Sequence, residues 1–192
     1  MQDKVNYISP ETFQEILNYI PQLGIRNWKD RDVQMLFKIL YFCALRPTEG
    51  IFLKKEMFDL VDREIALGKT KTKKNDVAHI PTIFIEELGA WLETKESGRL
   101  FDGLSYNTAW HWLDRMGKKL NIKAWQVLQS ESSECTKLHI FRKSVGKDML
   151  SGLYGEKASS IPIISKQLRH SKPSMTVDHY LKASLDAVKE AW

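Results

Sequence analysis

The feature that most restricts this fold is a switch of hydrophobic period in mid-chain. Before Met57 the apolar residues recur at helical spacing. Between Met57 and Pro81 they come in short blocks, MFDLV, EIAL and VAHIP, joined by the polar links DR and GKTKTKKND. Blocks this short, bounded by polar links, predict a three-stranded antiparallel meander with a very basic tip between its last two strands. Past Pro81 the helical period returns. The expected class is therefore α+β, mainly α-helical, with one small three-stranded antiparallel sheet.

Ser9-Pro10-Glu11 reads as a helix start: a hydroxyl cap, a proline whose missing N–H costs nothing there, and an acid in the first turn. Phe13, Ile16, Leu17 and Ile20 follow on one face, and Pro21 is expected to end the run. A second helix from Asp30 or Asp32 puts Val33, Leu36, Phe37, Leu40 and Tyr41 on one face. It is expected to stop at Arg46-Pro47, because a residue before proline is pushed out of the helical region. Later helices are read at Phe84–Leu92, after a Ser105 cap through Leu120, and over Leu138–Leu150, Ile163–Leu168 and Ser174–Ala191. Gln129 to Thr136 reads as a polar loop.

The chain has 192 residues, 43% hydrophobic and 28% charged, which suits one domain with a real core and excludes collagen-like, disordered and disulfide-scaffold classes. No apolar run approaches the length of a membrane span, and the first residues, MQDKVNYISPETF, lack the pattern of a secretory signal. Cys43 and Cys135 have neither metal nor redox spacing, so a reduced cytoplasmic chain is expected. The net charge of +5 is concentrated: Lys137 to Lys182 holds nine Lys/Arg against three Asp/Glu. Such a local excess points to a surface that faces a polyanion.

Two familiar chemistries fail on spacing. Gly68-Lys69-Thr70 imitates the end of a phosphate-binding loop, but Arg63 stands where that loop needs glycine. The histidines at 79, 111, 139, 170 and 179 form no helical ligand pair, so no metal site is expected. Cutting a phosphodiester without metal is a better match. It needs a nucleophile, fixed positive charge around phosphorus and an acid for the departing oxygen. Arginine suits the second task, because it stays charged and its fork matches phosphate oxygens. Lysine or histidine must supply the proton. A tyrosine can attack once neighbouring cations favour its ionised form, since with a pKa near ~10 only about one in a thousand is ionised at neutral pH. The chain offers Arg46 at a helix-ending corner, Lys71 at the hairpin tip, His139 and Arg142 one helical turn apart, His170 before the last helix and Tyr180 on it.

The order of these groups resembles the catalytic domain of the tyrosine recombinases, the phage-integrase family. Ala44-Leu45-Arg46-Pro47-Thr48-Glu49 is similar to its G-L-R-x-x-E box, and Leu67 to Thr72 with Ile80-Pro81 to its β-hairpin lysine segment. His139-Ile140-Phe141-Arg142 resembles H-x-x-R, Leu168-Arg169-His170-Ser171 resembles L-G-H-S, and Tyr180 stands where the family keeps its nucleophile. Three departures are visible. Ala44 and Arg169 replace customary glycines, and His170 to Tyr180 is ten residues where nine is usual.

The resemblance implies a tyrosine recombinase catalytic-domain fold over residues 1–192 and a site-specific recombinase or integrase that works through a 3′-phosphotyrosine. Tyr180 would attack, Arg46 and Arg142 would clamp the phosphate, and Lys71 would protonate the leaving 5′-oxygen. His139 and His170 would assist, with Glu49 and His179 in supporting places. Lys69, Lys73 and Lys74 compete with Lys71 for the proton, and with Lys143, Arg169 and Lys172 they are expected to contact DNA. No metal and no cofactor are implied. The implied partners are double-stranded DNA and further protomers in a tetramer. The family's N-terminal DNA-clamping domain is absent from this chain, which is expected to be a fragment of a longer protein. A type IB topoisomerase and a non-catalytic DNA-binding protein on the same scaffold are the competing readings.

Overall fold

Ser9 begins the first helix as its sequence requires: its Oγ accepts the Thr12 N–H at 3.2 Å, and α1 runs Pro10–Tyr19. Pro21 does not simply end the run. It sits in the first turn of a 3-10 turn, Ile20–Leu23, that Gly24 closes at φ +61°. The structure, a computed structural model, describes residues 7–69, 75–122, 138–152, 158–170 and 172–180, with backbone alone for Lys69, Asn75, Asp178, His179 and Tyr180.

Helix α2, Asp30–Phe42, stops short of the expected corner at Arg46. Cys43 caps it and Ala44 turns to φ +51°, a left-handed conformation that a right-handed helix cannot continue through. Arg46 then caps α3, Pro47–Ile51. The meander is present, as β1 (Phe58–Asp59), β2 (Glu64–Lys69) and β3 (Asn75–His79), antiparallel in chain order. Its register pairs Ile65 with Ala78 and slips between Ala66 and Gly68, so that Gly68 faces Asp76. The remaining helices are α4 (Thr82–Glu93), α5 (Tyr106–Lys119, capped by Ser105), α6 (His139–Ser151), α7 (Ile161–Gln167) and α8 (Pro173–Tyr180). The loop expected at 129–136 and the predicted continuation of the last helix beyond 180 lie outside the described residues.

The main core is built from α1, α2, α4, α5 and α6 around aromatic residues. Phe13 stacks on Tyr41 at 4.0 Å between ring centroids, and Trp91 stacks on Phe101 at 5.7 Å. A second, smaller apolar cluster joins Ala44, Val145, Met149, Ile164 and Leu168. It fixes the corner after α2 against α6 and α7, and Arg46, Arg142 and Arg169 each lie within three residues of one of its members. Polar bonds tie α6 in place as well: Ser144 Oγ accepts the Ile8 N–H at 2.9 Å, and the Tyr41 hydroxyl donates to Asp148. Among the described residues no helix is long and apolar enough to cross a membrane.

Candidate active site

The two positions that lack the expected glycine are the two sharp corners of the site. Ala44 has φ +51° and Arg169 has φ +50°, the region glycine enters without steric cost. The first corner aims a carbonyl: Ala44 O accepts a hydrogen bond from Arg142 Nη1 at 2.5 Å. Arg142 is 6% exposed and lies one turn along α6 from His139, so both face the segment that leads to Arg46.

Arg46 is held differently. As the N-cap of α3 it donates its backbone N–H to Glu49 Oε2 at 2.6 Å and its Nη1 to Glu49 Oε1 at 2.7 Å. The same Nη1 lies 3.7 Å from Asp76 Oδ2 on β3. Its side chain stays 42% exposed, so the guanidinium keeps an open edge. Burial raises the pKa of Glu49, but Arg169 and Arg46 outweigh it and hold the carboxyl below the ordinary carboxylate value. Glu49 is therefore an anion that orients a cation.

Arg169, expected to contact DNA, points its guanidinium at two carboxylates of the protein. Its side chain is 6% exposed, with Nη2 on Glu49 Oε2 at 2.6 Å and Nη1 on Asp76 Oδ2 at 3.4 Å. Both terminal nitrogens of this guanidinium face carboxylates, so its charge is paired inside the protein. Asp76, which sequence reasoning misses, joins the two arginines. Its one signal is being the acid that follows a run of lysines in the hairpin.

His139 borders both arginines. Burial, then the positive fields of Arg142, Arg46 and Lys143, push its pKa down to about 4, with Glu49 opposing, so the ring is neutral at pH 7. His170 meets α8. Its Nδ1 lies 2.8 Å from the buried Thr176 Oγ1, on α8, four residues before Tyr180. Between His170 and Tyr180, Lys172 O accepts the Met175 N–H at 3.1 Å where α8 begins at Pro173. Lys172 is exposed and Lys143 half-buried. Tyr180 is the last described residue of α8 and His179 precedes it, with neither side chain among those described. Lys71, Lys73 and Lys74 lie outside the described residues, and Lys69 closes β2. Among the described residues no cluster of three His, Cys, Asp or Glu side chains suits a metal.

The described arrangement gathers two guanidiniums, one with an open edge, beside a neutral imidazole, on a surface next to a basic hairpin. Such a site can hold a tetrahedral anion and stabilise charge that builds on it. The chain is similar to two curated archaeal proteins, the tyrosine recombinases XerA of Thermococcus onnurineus (27% identical) and Thermococcus kodakarensis (26% identical), each match covering 96% of this chain. It spans 60% of the length of each. Among solved structures the fold matches the catalytic domain of bacteriophage HP1 integrase with a TM-score of 0.62 at 20% identity, over 95% of this chain and 93% of that one. It also matches the XerH recombinase bound to its difH substrate in a post-cleavage complex, with a TM-score of 0.65 at 17% identity, over 91% of this chain and 49% of that one. The model of the phage integrase family matches residues 6–186, and the chain belongs to that family.

Proposed function

We propose that this chain is the catalytic domain of a site-specific recombinase that cuts and rejoins double-stranded DNA through Tyr180. The Tyr180 oxygen attacks the scissile phosphorus, a P–O bond to tyrosine forms, and the P–O5′ bond breaks. The proton that leaves the phenol passes to the imidazole of His170, and Lys71, in the segment between β2 and β3, gives one to the departing 5′-oxygen. The products are a 3′-phosphotyrosyl strand and a free 5′-hydroxyl. Because the intermediate is itself a phosphodiester, a second 5′-hydroxyl reverses the step on a new partner with no external energy source. Arg46 and Arg142 hold the non-bridging oxygens, and neutral His139 hydrogen-bonds to one of them.

The observation that carries this reading is the shared corner of the two arginines. Arg142 is anchored on the carbonyl of Ala44, two residues before Arg46, whose own guanidinium keeps an open edge. The XerH and Tn1549 integrase structures of the same fold contain DNA, which supports DNA as the partner here. Assembly as a tetramer on paired sites follows the same reading. The test is a pool of nicked duplexes of randomised sequence incubated with the chain. Covalently attached DNA is expected, recovered as an enriched sequence and absent from Tyr180→Phe. Strand exchange between two copies of that sequence identifies a recombinase, whereas relaxation of any supercoiled plasmid without exchange overturns the reading.

A further inference from the structure

Arg169 occupies a costly position. It is a non-glycine residue at φ +50°, and its charged side chain is 6% exposed beside the fully buried Cys43. Arginine in a left-handed turn carries backbone strain, and a buried charge survives only when it is paired. The pairing is specific. Nη2 meets Glu49 and Nη1 meets Asp76, one carboxylate from α3 and one from β3. Those are the same two carboxylates that contact Arg46, at 2.7 and 3.7 Å. Nε of Arg169 has no hydrogen-bond partner among the described residues, so the guanidinium sits where the two carboxylates draw it rather than where all its donors are satisfied.

Charge counting gives this bracket a purpose. Arg46 alone between Glu49 and Asp76 would leave one net negative charge beside the place where a phosphate must sit. Arg169 makes the cluster two positive and two negative, from the covered side. The open edge of Arg46 can then face an anion without its carboxylate partners repelling that anion.

We propose that Arg169 is a positioning residue for the recombinase site: its guanidinium spans Glu49 and Asp76 and thereby holds Arg46 in a charge-balanced bracket. This rests on the activity proposed above. Its nearest physical rival is a packing role for the long side chain at a tight turn.

Charge balance separates the two roles. Arg169→Gly removes the side chain at a backbone position that glycine adopts freely, so the turn is retained. It leaves Glu49 and Asp76 with Arg46 alone. Adding Asp76→Asn restores neutrality without restoring any packing. Two readouts are followed: the titration of the Glu49 carboxyl by carbon NMR in the DNA-free chain, and the rate of covalent adduct formation on the nicked-duplex pool. In Arg169→Gly the Glu49 midpoint is expected to rise by at least one pH unit and the adduct rate to fall at least tenfold. In Arg169→Gly with Asp76→Asn, the midpoint returns at least halfway and the rate to within threefold of the parent chain. An Arg169→Gly rate and midpoint equal to the parent's overturn the proposal, as does a loss that Asp76→Asn does not relieve. A Glu49 titration that behaves as expected in a parent chain forming no adduct overturns the activity reading instead and leaves the electrostatic bracket standing.

Discussion

Arg142 donates to the carbonyl of Ala44 at 2.5 Å, so the guanidinium of α6 is tied to the backbone two residues before Arg46. Two like charges near one another repel. Here their spacing is set by a main-chain corner on one side and by Glu49 on the other, which costs nothing further when an anion arrives. In the proposed reaction this arrangement is preorganised stabilisation of developing charge.

Arg142→Lys is expected to keep the fold and lower adduct formation by about two orders of magnitude, because an ammonium cannot hold Ala44 and a phosphate with one rigid fork. Arg142→Ala also removes a donor from a buried carbonyl, which costs about 1–3 kcal/mol of stability. Denaturant unfolding and single-turnover rates measure the two effects separately. A near-parental rate in Arg142→Lys would remove Arg142 from the proposed clamp.

The Ala44 corner is tested by shape. Glycine relieves the left-handed strain but gives up a buried methyl and adds backbone freedom, so Ala44→Gly should stay within about 1 kcal/mol of the parent. A β-branched side chain at φ +51° meets its own backbone and the packed cluster around Val145 and Leu168. Ala44→Val is expected to lose roughly 2 kcal/mol or more. Equal stability of the two variants in urea unfolding would show that this corner relaxes.

Much of this is legible in the sequence because it is local. Ser9 and Ser105 announce their helices through their own hydroxyls, and the change from helical spacing to short blocks marks the sheet between Met57 and Pro81. Arg46, His139 and Arg142 stand out by spacing within motifs. What the sequence hides is non-local. Pro47 is a visible stop and draws the expected end of α2 to Arg46, whereas the left-handed turn at Ala44 is set by packing against α6 and α7, which no neighbouring residue encodes. Arg169 reads as a DNA contact because a lysine- and arginine-rich segment resembles an exposed face. Only the fold reveals that Glu49, 120 residues away in the chain, covers and pairs it. Asp76 escapes notice for the same reason.

His139 predicts a pH effect of definite sign. Burial first, then the cations Arg142, Arg46 and Lys143, lower its pKa from 6.5 to about 4. A depressed pKa means that the unfolded chain binds the proton more readily. The contribution to stability is complete above pH 6.5 and disappears as pH falls toward 4. The imidazole proton resonances should titrate near pH 4, and Arg46→Gln should move the midpoint upward by removing a repulsive charge from the ring's surroundings. A midpoint near 6.5 in the parent chain would mean that the ring is neither buried nor facing the arginines.

Asp148 predicts the opposite slope. It is 3% exposed, and burial raises its pKa from 3.8 to about 6, with Glu11 adding to the rise while the Tyr41 hydroxyl bond and Lys147 oppose it. A raised pKa means that the folded chain holds the proton more tightly. Its stabilising contribution is complete below pH 3.8 and is lost as pH climbs through 6, a change of up to about 3 kcal/mol at about 1.4 kcal/mol per unit. Asp148→Asn keeps an oxygen for the Tyr41 hydroxyl and cannot ionise. Relative to the parent it should gain stability as pH rises from about 4 to 7 and then hold a constant difference. His139 and Glu49 move stability the other way across an overlapping range, but they do so in both chains, so the difference between Asp148→Asn and the parent cancels their slopes and leaves that of Asp148. If Asp148→Asn shifts stability by the same amount at about pH 4 as at about pH 8, the carboxyl ionises alike in the folded and unfolded states and burial is not what sets it.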